Sequence, residues 1–275
     1  MKSFRRLATG LVVFIVVAYA GVLVGMLLLQ RDLQYDRGGR LLALTETALT
    51  AAEQVAIPVG QGEQVTGWYQ APAPGKPVIL YFRGNAQSFS REHERYESFV
   101  AAGFGFLAFD YRGFPGSPGE LTEAHVLEDG LAAFDWLAAK GVPIALWGRS
   151  LGSGPATYVA SQREAESLLL ETPFRSAVAV AAERYPFLPV GLLMADQYPV
   201  DQWIGKVAEP VHVVHGTADN TIPVHHGREV FALAPNPDGI TIVEGAGHDG
   251  LWGSGLWDVA QAFIERSAAK ANAGL

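Results

Sequence analysis

The chain has 275 residues, of which 49% are hydrophobic and only 17% charged, and its net charge is −8. A mean hydropathy of +0.16 is high for a soluble chain, so one strongly apolar segment is expected to raise the average. The absence of cysteine excludes disulfides, thiolate catalysis and Cys lipidation, and an acidic balance with no basic run longer than Arg5-Arg6 excludes a nucleic-acid partner.

Residues 7–29 carry no charge, and as a helix they reach ~35 Å, enough to cross a bilayer. No polar face interrupts the run, which argues against a buried core helix. Ala18-Tyr19-Ala20 before Gly21 resembles a signal-cleavage site, yet the apolar run continues for about nine residues beyond it. Residues 1–30 are therefore expected to remain as a single transmembrane anchor. Lys2, Arg5 and Arg6 precede the run and Arg31, Arg37 and Arg40 follow it, so the basic counts tie. The positive-inside tendency assigns the amino-terminal cluster to the cytoplasm and the rest of the chain to the far side, and the tie gives that assignment little weight.

A linker at 31–44 leads into one domain expected over 45–275. Segments 53–58 and 64–70 flank Val59-Gly60-Gln61-Gly62-Glu63 and read as a hairpin. Apolar runs at 78–82, 105–109, 142–147, 167–170, 211–215 and 240–243 read as strands buried on both faces of a mainly parallel sheet. Helical patterns at 88–102, 123–140, 151–163, 225–234 and 256–269 alternate with them, which specifies an α/β sandwich. Residues 174–200, with Tyr185-Pro186-Phe187-Leu188-Pro189, break the alternation and are expected to form a lid. Phe187, Leu188, Val190, Leu192, Leu193 and Met194 there suit either packing on the sheet or lining an acyl pocket, and both readings stay open.

The chemistry is concentrated after the run ending at Trp147. Gly148-Arg149-Ser150-Leu151-Gly152 is a Gly-x-Ser-x-Gly between a strand and a helix, the context of a nucleophile elbow. A serine hydroxyl needs a base, and the base needs an orienting acid. Asp219 follows the run at 211–215 and His248 follows the run ending at Val243, so Ser150, Asp219 and His248 come in the chain order of the α/β-hydrolase fold. All three fall at carboxyl ends of strands, where an open α/β sheet forms its crevice. The expected oxyanion donors are the Leu151 N–H and an N–H of the loop after 78–82, at Asn85, with Gly84 allowing close approach.

Competing assignments are weaker. Asp110 ends a strand but precedes the serine, so Asp110-Tyr111-Arg112 reads as a structural turn bonding neighbouring loops. Asp249 adjoins His248 and cannot easily orient the same imidazole. His212, His215, His225 and His226 suggest a zinc site, but residues three apart on a strand face opposite ways, so ordinary histidines are preferred.

Five segments together carry a resemblance: Arg83-Gly84-Asn85-Ala86, Asp110-Tyr111-Arg112-Gly113-Phe114-Pro115-Gly116-Ser117, Gly148-Arg149-Ser150-Leu151-Gly152-Ser153-Gly154, Leu170-Glu171-Thr172-Pro173-Phe174-Arg175-Ser176 and His215-Gly216-Thr217-Ala218-Asp219-Asn220-Thr221-Ile222-Pro223. Over about residues 55–266 they resemble the membrane-anchored branch of the abhydrolase-domain family. The resemblance implies an amino-terminal anchor before a serine hydrolase that cleaves carboxylic esters or acyl thioesters, lipid-like donors among them. No metal or organic cofactor is called for. A peptidase of the same fold is the alternative within the enzyme class, and a non-catalytic membrane-tethered binding protein is the alternative outside it. The sequence departs from the family at Arg83-Gly84, where His-Gly is usual, which puts loop geometry and local charge at Asn85 in question.

Overall fold

A computed structural model describes residues 2–273; Met1, Gly274 and Leu275, at the outer bounds of the expected anchor and domain, lie outside the described residues. The first element is one long helix, α1 (Lys2–Gln34), long and apolar enough to cross a membrane. It runs past the expected end of the anchor because Arg31, Asp32, Leu33 and Gln34 include no helix breaker, and the chain meets its next glycine only at Gly38. The expected linker is thus helical in its first turn.

The hairpin forms as β1 (Glu53–Pro58) and β2 (Gln64–Gln70), paired antiparallel. There follow β3 (Val78–Phe82), α2 (His93–Ala101), β4 (Gly105–Phe109), α3 (Glu123–Ala138), β5 (Ile144–Arg149) and α4 (Ser153–Ala160). Then come β6 (Ser167–Glu171), α5 (Ala177–Arg184), α6 (Val190–Leu193), α7 (Val200–Trp203), β7 (Val211–Gly216), α8 (Val224–Leu233), β8 (Pro237–Val243) and α9 (Leu256–Asn272). The eight strands form one sheet in the order β1-β2-β4-β3-β5-β6-β7-β8, antiparallel as far as the β2–β4 pair and parallel from β4 onward.

Side chains alternate across each central strand, so the sheet feeds two cores. Val78, Leu80 and Phe82 of β3 join Leu146 and Leu170 under Phe134 of α3, Val159 of α4 and Val230 of α8. Ile79 and Tyr81 join Trp147 and Leu169 under Tyr96 and Phe99 of α2 and Phe263 of α9. Each Leu or Phe fully buried this way contributes about 1.5–3 kcal/mol, so the continuous apolar runs stabilise both layers at once.

Three of the boundaries that differ from the sequence reading do so for clear local reasons. β5 starts at Ile144, because Pro143 has no N–H to give and serves only as acceptor, its carbonyl taking the Val78 N–H at 2.8 Å. β8 starts earlier than expected, at Pro237, a tolerated first residue on an edge strand. The helix expected from Leu151 opens as a tight 3₁₀ turn over Ser150–Gly152 before α4 begins. α5, α6 and α7 lie between β6 and β7, the first two within the segment expected to be a lid and α7 beginning at its last residue, and α1 packs against α6.

Candidate active site

Ser150 sits where β5 turns into α4 and holds φ at 52°, a left-handed conformation costly for a residue with a side chain. The two flanking glycines explain how this turn closes. A Cβ on Gly152 would lie 2.0 Å from the Phe82 carbonyl oxygen, and one on Gly148 would lie 2.7 Å from both Ala156 Cβ and the Gly152 carbonyl oxygen. The strained turn is held by the Ser153 hydroxyl, which donates to the Ser150 carbonyl at 2.7 Å.

The loops after β7 and β8 bring the other two residues to it. His248 Nε2 stands 2.9 Å from Ser150 Oγ, and His248 Nδ1 stands 2.7 Å from Asp219 Oδ2. The other carboxylate oxygen of Asp219 accepts the Thr221 and Ile222 amides at 2.9 and 2.8 Å. Burial pushes this carboxyl up, but the close His215 imidazole and hydrogen bonds from His248 and the Ile222 amide outweigh it and hold Asp219 well below the ordinary carboxylate range. The acid therefore stays charged, fixing the Nδ1–H tautomer of His248 and leaving Nε2 free to take the serine proton.

A cavity of about 260 Å³ opens above Ser150. Leu151 and Asn85, the two expected oxyanion donors, line it together with Phe174, Val190, Met194 and Ile222, and so do Met26, Gln30, Leu33 and Gln34 of α1. Val190 and Met194 thus turn to the cavity, whereas Phe187 and Leu192 stay exposed at the tip of the segment.

No family model matches the sequence. An uncharacterized protein of Mycobacterium tuberculosis is 31% identical over 277 residues, spanning 98% of this chain and 99% of that protein. The lysophosphatidylserine lipase ABHD12 of Rattus norvegicus is 30% identical over 195 residues, 61% of this chain but only 48% of that relative. Among solved structures, the Pyrococcus furiosus esterase Pf2001 superposes with a TM-score of 0.67 at 16% identity, over 85% of this chain and 97% of that one. The chain belongs to one family with the mycobacterial protein, and its fold is that of the α/β-hydrolases.

Residues beside the triad support the site through contacts that their motifs do not state. Arg83, the departure from the family's His-Gly, is fully buried; its Nη1 donates to the carbonyls of Gly84 and Ala86 at 2.9 and 3.1 Å. Its guanidinium pairs with Asp110 at 2.7 Å and stacks over Phe114, with its centre 3.9 Å from the ring centroid. Arg83 thus ties down the loop bearing Asn85 from inside. Asp110 also accepts the Phe89 amide at 2.9 Å and joins neighbouring loops as its turn suggested. The Asn85 side chain donates to the Gln34 carbonyl at 2.8 Å and the Asn85 backbone carbonyl accepts the Asp36 amide at 3.0 Å, so the end of α1 and the residues just after it hold the same loop from outside.

The four histidines of the rejected zinc reading fall in three places. His212 is bound by Asp238 and Thr241, and His215 donates from Nε2 to the Ile222 carbonyl at 2.8 Å while lying 3.4 Å from Asp219. His225 and His226 instead meet Glu183 of α5, their ligand atoms all within 4.8 Å, the one described cluster whose donors could surround a cation. Asp249 turns outward, exposed, to an ion pair with Arg149.

Proposed function

We propose that this hydrolase cleaves a carboxylic ester or acyl thioester through an acyl-enzyme on Ser150. The observation that carries the reading is the pair of hydrogen bonds through which His248 joins Ser150 Oγ at 2.9 Å to Asp219 at 2.7 Å. Ser150 Oγ attacks the acyl carbon as its proton passes to His248 Nε2, and the Leu151 and Asn85 amides receive the developing oxyanion. His248 then gives that proton to the leaving alcohol or thiol as the bond to it breaks. Water, deprotonated by His248, attacks the acyl-enzyme in the second half, releasing the acid and returning the proton to Ser150. The chain's own groups complete each half-reaction, with no metal or organic cofactor.

The apolar lining of the cavity supports a donor with a hydrocarbon acyl group, and the name of the rat relative, a lysophosphatidylserine lipase, points the same way. We read residues 1–30 as a single-pass membrane anchor, residues 45–275 as the catalytic domain on the non-cytoplasmic side, and residues 174–200 as its lid. Treating the detergent-purified full chain with a fluorophosphonate tests the central point. Labelling at Ser150, lost in Ser150→Ala, is expected; a folded protein that takes up no label would overturn the reading.

A further inference from the structure

We propose that the membrane helix forms one wall of the acyl pocket, and that an ester lipid reaches Ser150 sideways from the bilayer, between α1 and the lid. The proposal rests on the reading of the site as an acyl-ester hydrolase with a membrane-crossing α1. Leu23, Met26, Gln30 and Gln34, spaced three or four residues apart, are half-buried on one face of α1, whereas Val24, Leu28 and Leu29 between them are exposed. That face belongs to the cavity: Met26, Gln30 and Gln34 line it, with the more exposed Leu33 beside them, together with Val190, Met194 and Ser150.

The helix end is fixed in this position. The Ala195 amide donates to Gln30 Oε1 at 2.7 Å, Arg31 Nε donates to Asp196 at 3.1 Å, and Gln34 Nε2 donates to the Asp196 carbonyl at 3.3 Å. A tether that served only for attachment would have no need of side-chain bonds to the lid base or of residues in the cavity.

The lid reaches up the apolar part of the helix. The Tyr19 hydroxyl donates to the Phe187 carbonyl at 2.8 Å, ten positions before Leu29 and therefore about 15 Å farther along the axis. Phe187 and Leu192 are 83% and 88% exposed beside that stretch, an apolar tip that water would not favour and a bilayer would solvate. A lipid tail lying between helix and lid would leave the membrane without crossing water, its ester arriving at the level of Ser150.

The test uses the full chain reconstituted in phosphatidylcholine vesicles, with kcat/KM measured for a long-chain monoacyl ester in the same vesicles and for soluble p-nitrophenyl acetate. Met26→Trp and Leu33→Trp should each lower the long-to-short ratio at least about tenfold by filling the tail's path, while Leu28→Trp, on the opposite, exposed face, leaves it within about twofold. Phe187→Asp with Leu192→Asp should lower the same ratio by weakening contact of the lid with the bilayer. Ratios unmoved by the wall variants, or lowered equally by Leu28→Trp, would overturn the proposal. Fluorophosphonate labelling of Ser150 and acetate hydrolysis are read in every sample, so loss of both in the unmodified chain would mark failure of the hydrolase reading instead.

Discussion

At the scale of single residues, the site depends on strain that neighbours make tolerable. Ser150 keeps a positive φ because the turn around it has no room to relax, and Gly152 is where that room is smallest. Gly152→Ala would drive a methyl into the Phe82 carbonyl, so a loss of at least about 1–3 kcal/mol in urea unfolding, with slower fluorophosphonate labelling, is expected. Asp219→Asn should keep the fold yet lower kcat by about 10⁴-fold, because an amide cannot hold His248 in the Nδ1–H tautomer. Asn85 separates two roles. Its side chain is engaged with the Gln34 carbonyl, so the oxyanion donor is its backbone N–H, and Asn85→Ala should cost kcat about tenfold or less. A loss of about 10²–10³, as for deleting a donor, would show the side chain to be the oxyanion ligand. Ser150, Asp219 and His248 were legible because each sits beside turn residues that a linear sequence displays. Arg83 was not: its value lies in Asp110, Phe114 and two carbonyls, contacts set by the fold.

At the scale of elements, the buried strands were readable since a strand covered on both faces needs no polar alternation, as β3 and β5 demonstrate. Strand ends moved where proline decided pairing, and the carboxyl end of α1 was misplaced because residues 31–34 look like a charged linker until the lid supplies partners for Gln30, Arg31 and Gln34. The junction of β7, β8 and α9 carries a pH dependence of the same tertiary origin. His212 there faces Asp238, Thr241 and Phe263, with Arg266 bound to the same Asp238. Burial lowers the proton affinity of its imidazole, aided by Arg266 and opposed by Asp238. The folded chain thus takes up this proton less readily than the unfolded chain, whose histidine titrates near 6.5. Its contribution to stability is complete above that pH and declines as the pH falls through and below it. The urea midpoint should be lower at pH about 5.5 than at about 7.5, and His212→Gln should shrink the difference, leaving a remainder from His226, which burial also lowers. A difference identical in the variant would refute the assignment.

Across the whole molecule, the core beneath α2 and α9 meets the catalytic turn through one buried ionic cluster. Glu171 ends β6 beneath the elbow, receives Arg95 of α2 through two bonds of 2.8 and 3.0 Å, accepts the Trp147 indole N–H at 3.1 Å, and lies 3.4 Å from Arg149, the residue before the nucleophile. Glu92 closes the cluster, 3.2 Å from Arg95 and 3.6 Å from Arg149, with the Tyr81 hydroxyl donating to it at 2.7 Å. Burial pushes the Glu171 carboxyl up, but Arg95 and Arg149 pull harder and keep it below its ordinary range, so it is charged at neutral pH. The cluster then holds two guanidinium groups against two carboxylates, and Asp249 adds a third carboxylate only at the exposed rim. Glu171→Gln removes the innermost negative charge and leaves two buried cations facing Glu92. A loss of about 3–5 kcal/mol in urea unfolding is expected, because deleting one member of a buried pair exposes the full desolvation cost of the other. Pairing the change with Arg95→Met should recover part of that loss, since the variant no longer buries the unmatched cation. Strictly additive losses in the double variant would mean that Arg95 and Glu171 stabilise the fold independently, and that the elbow is held by packing alone.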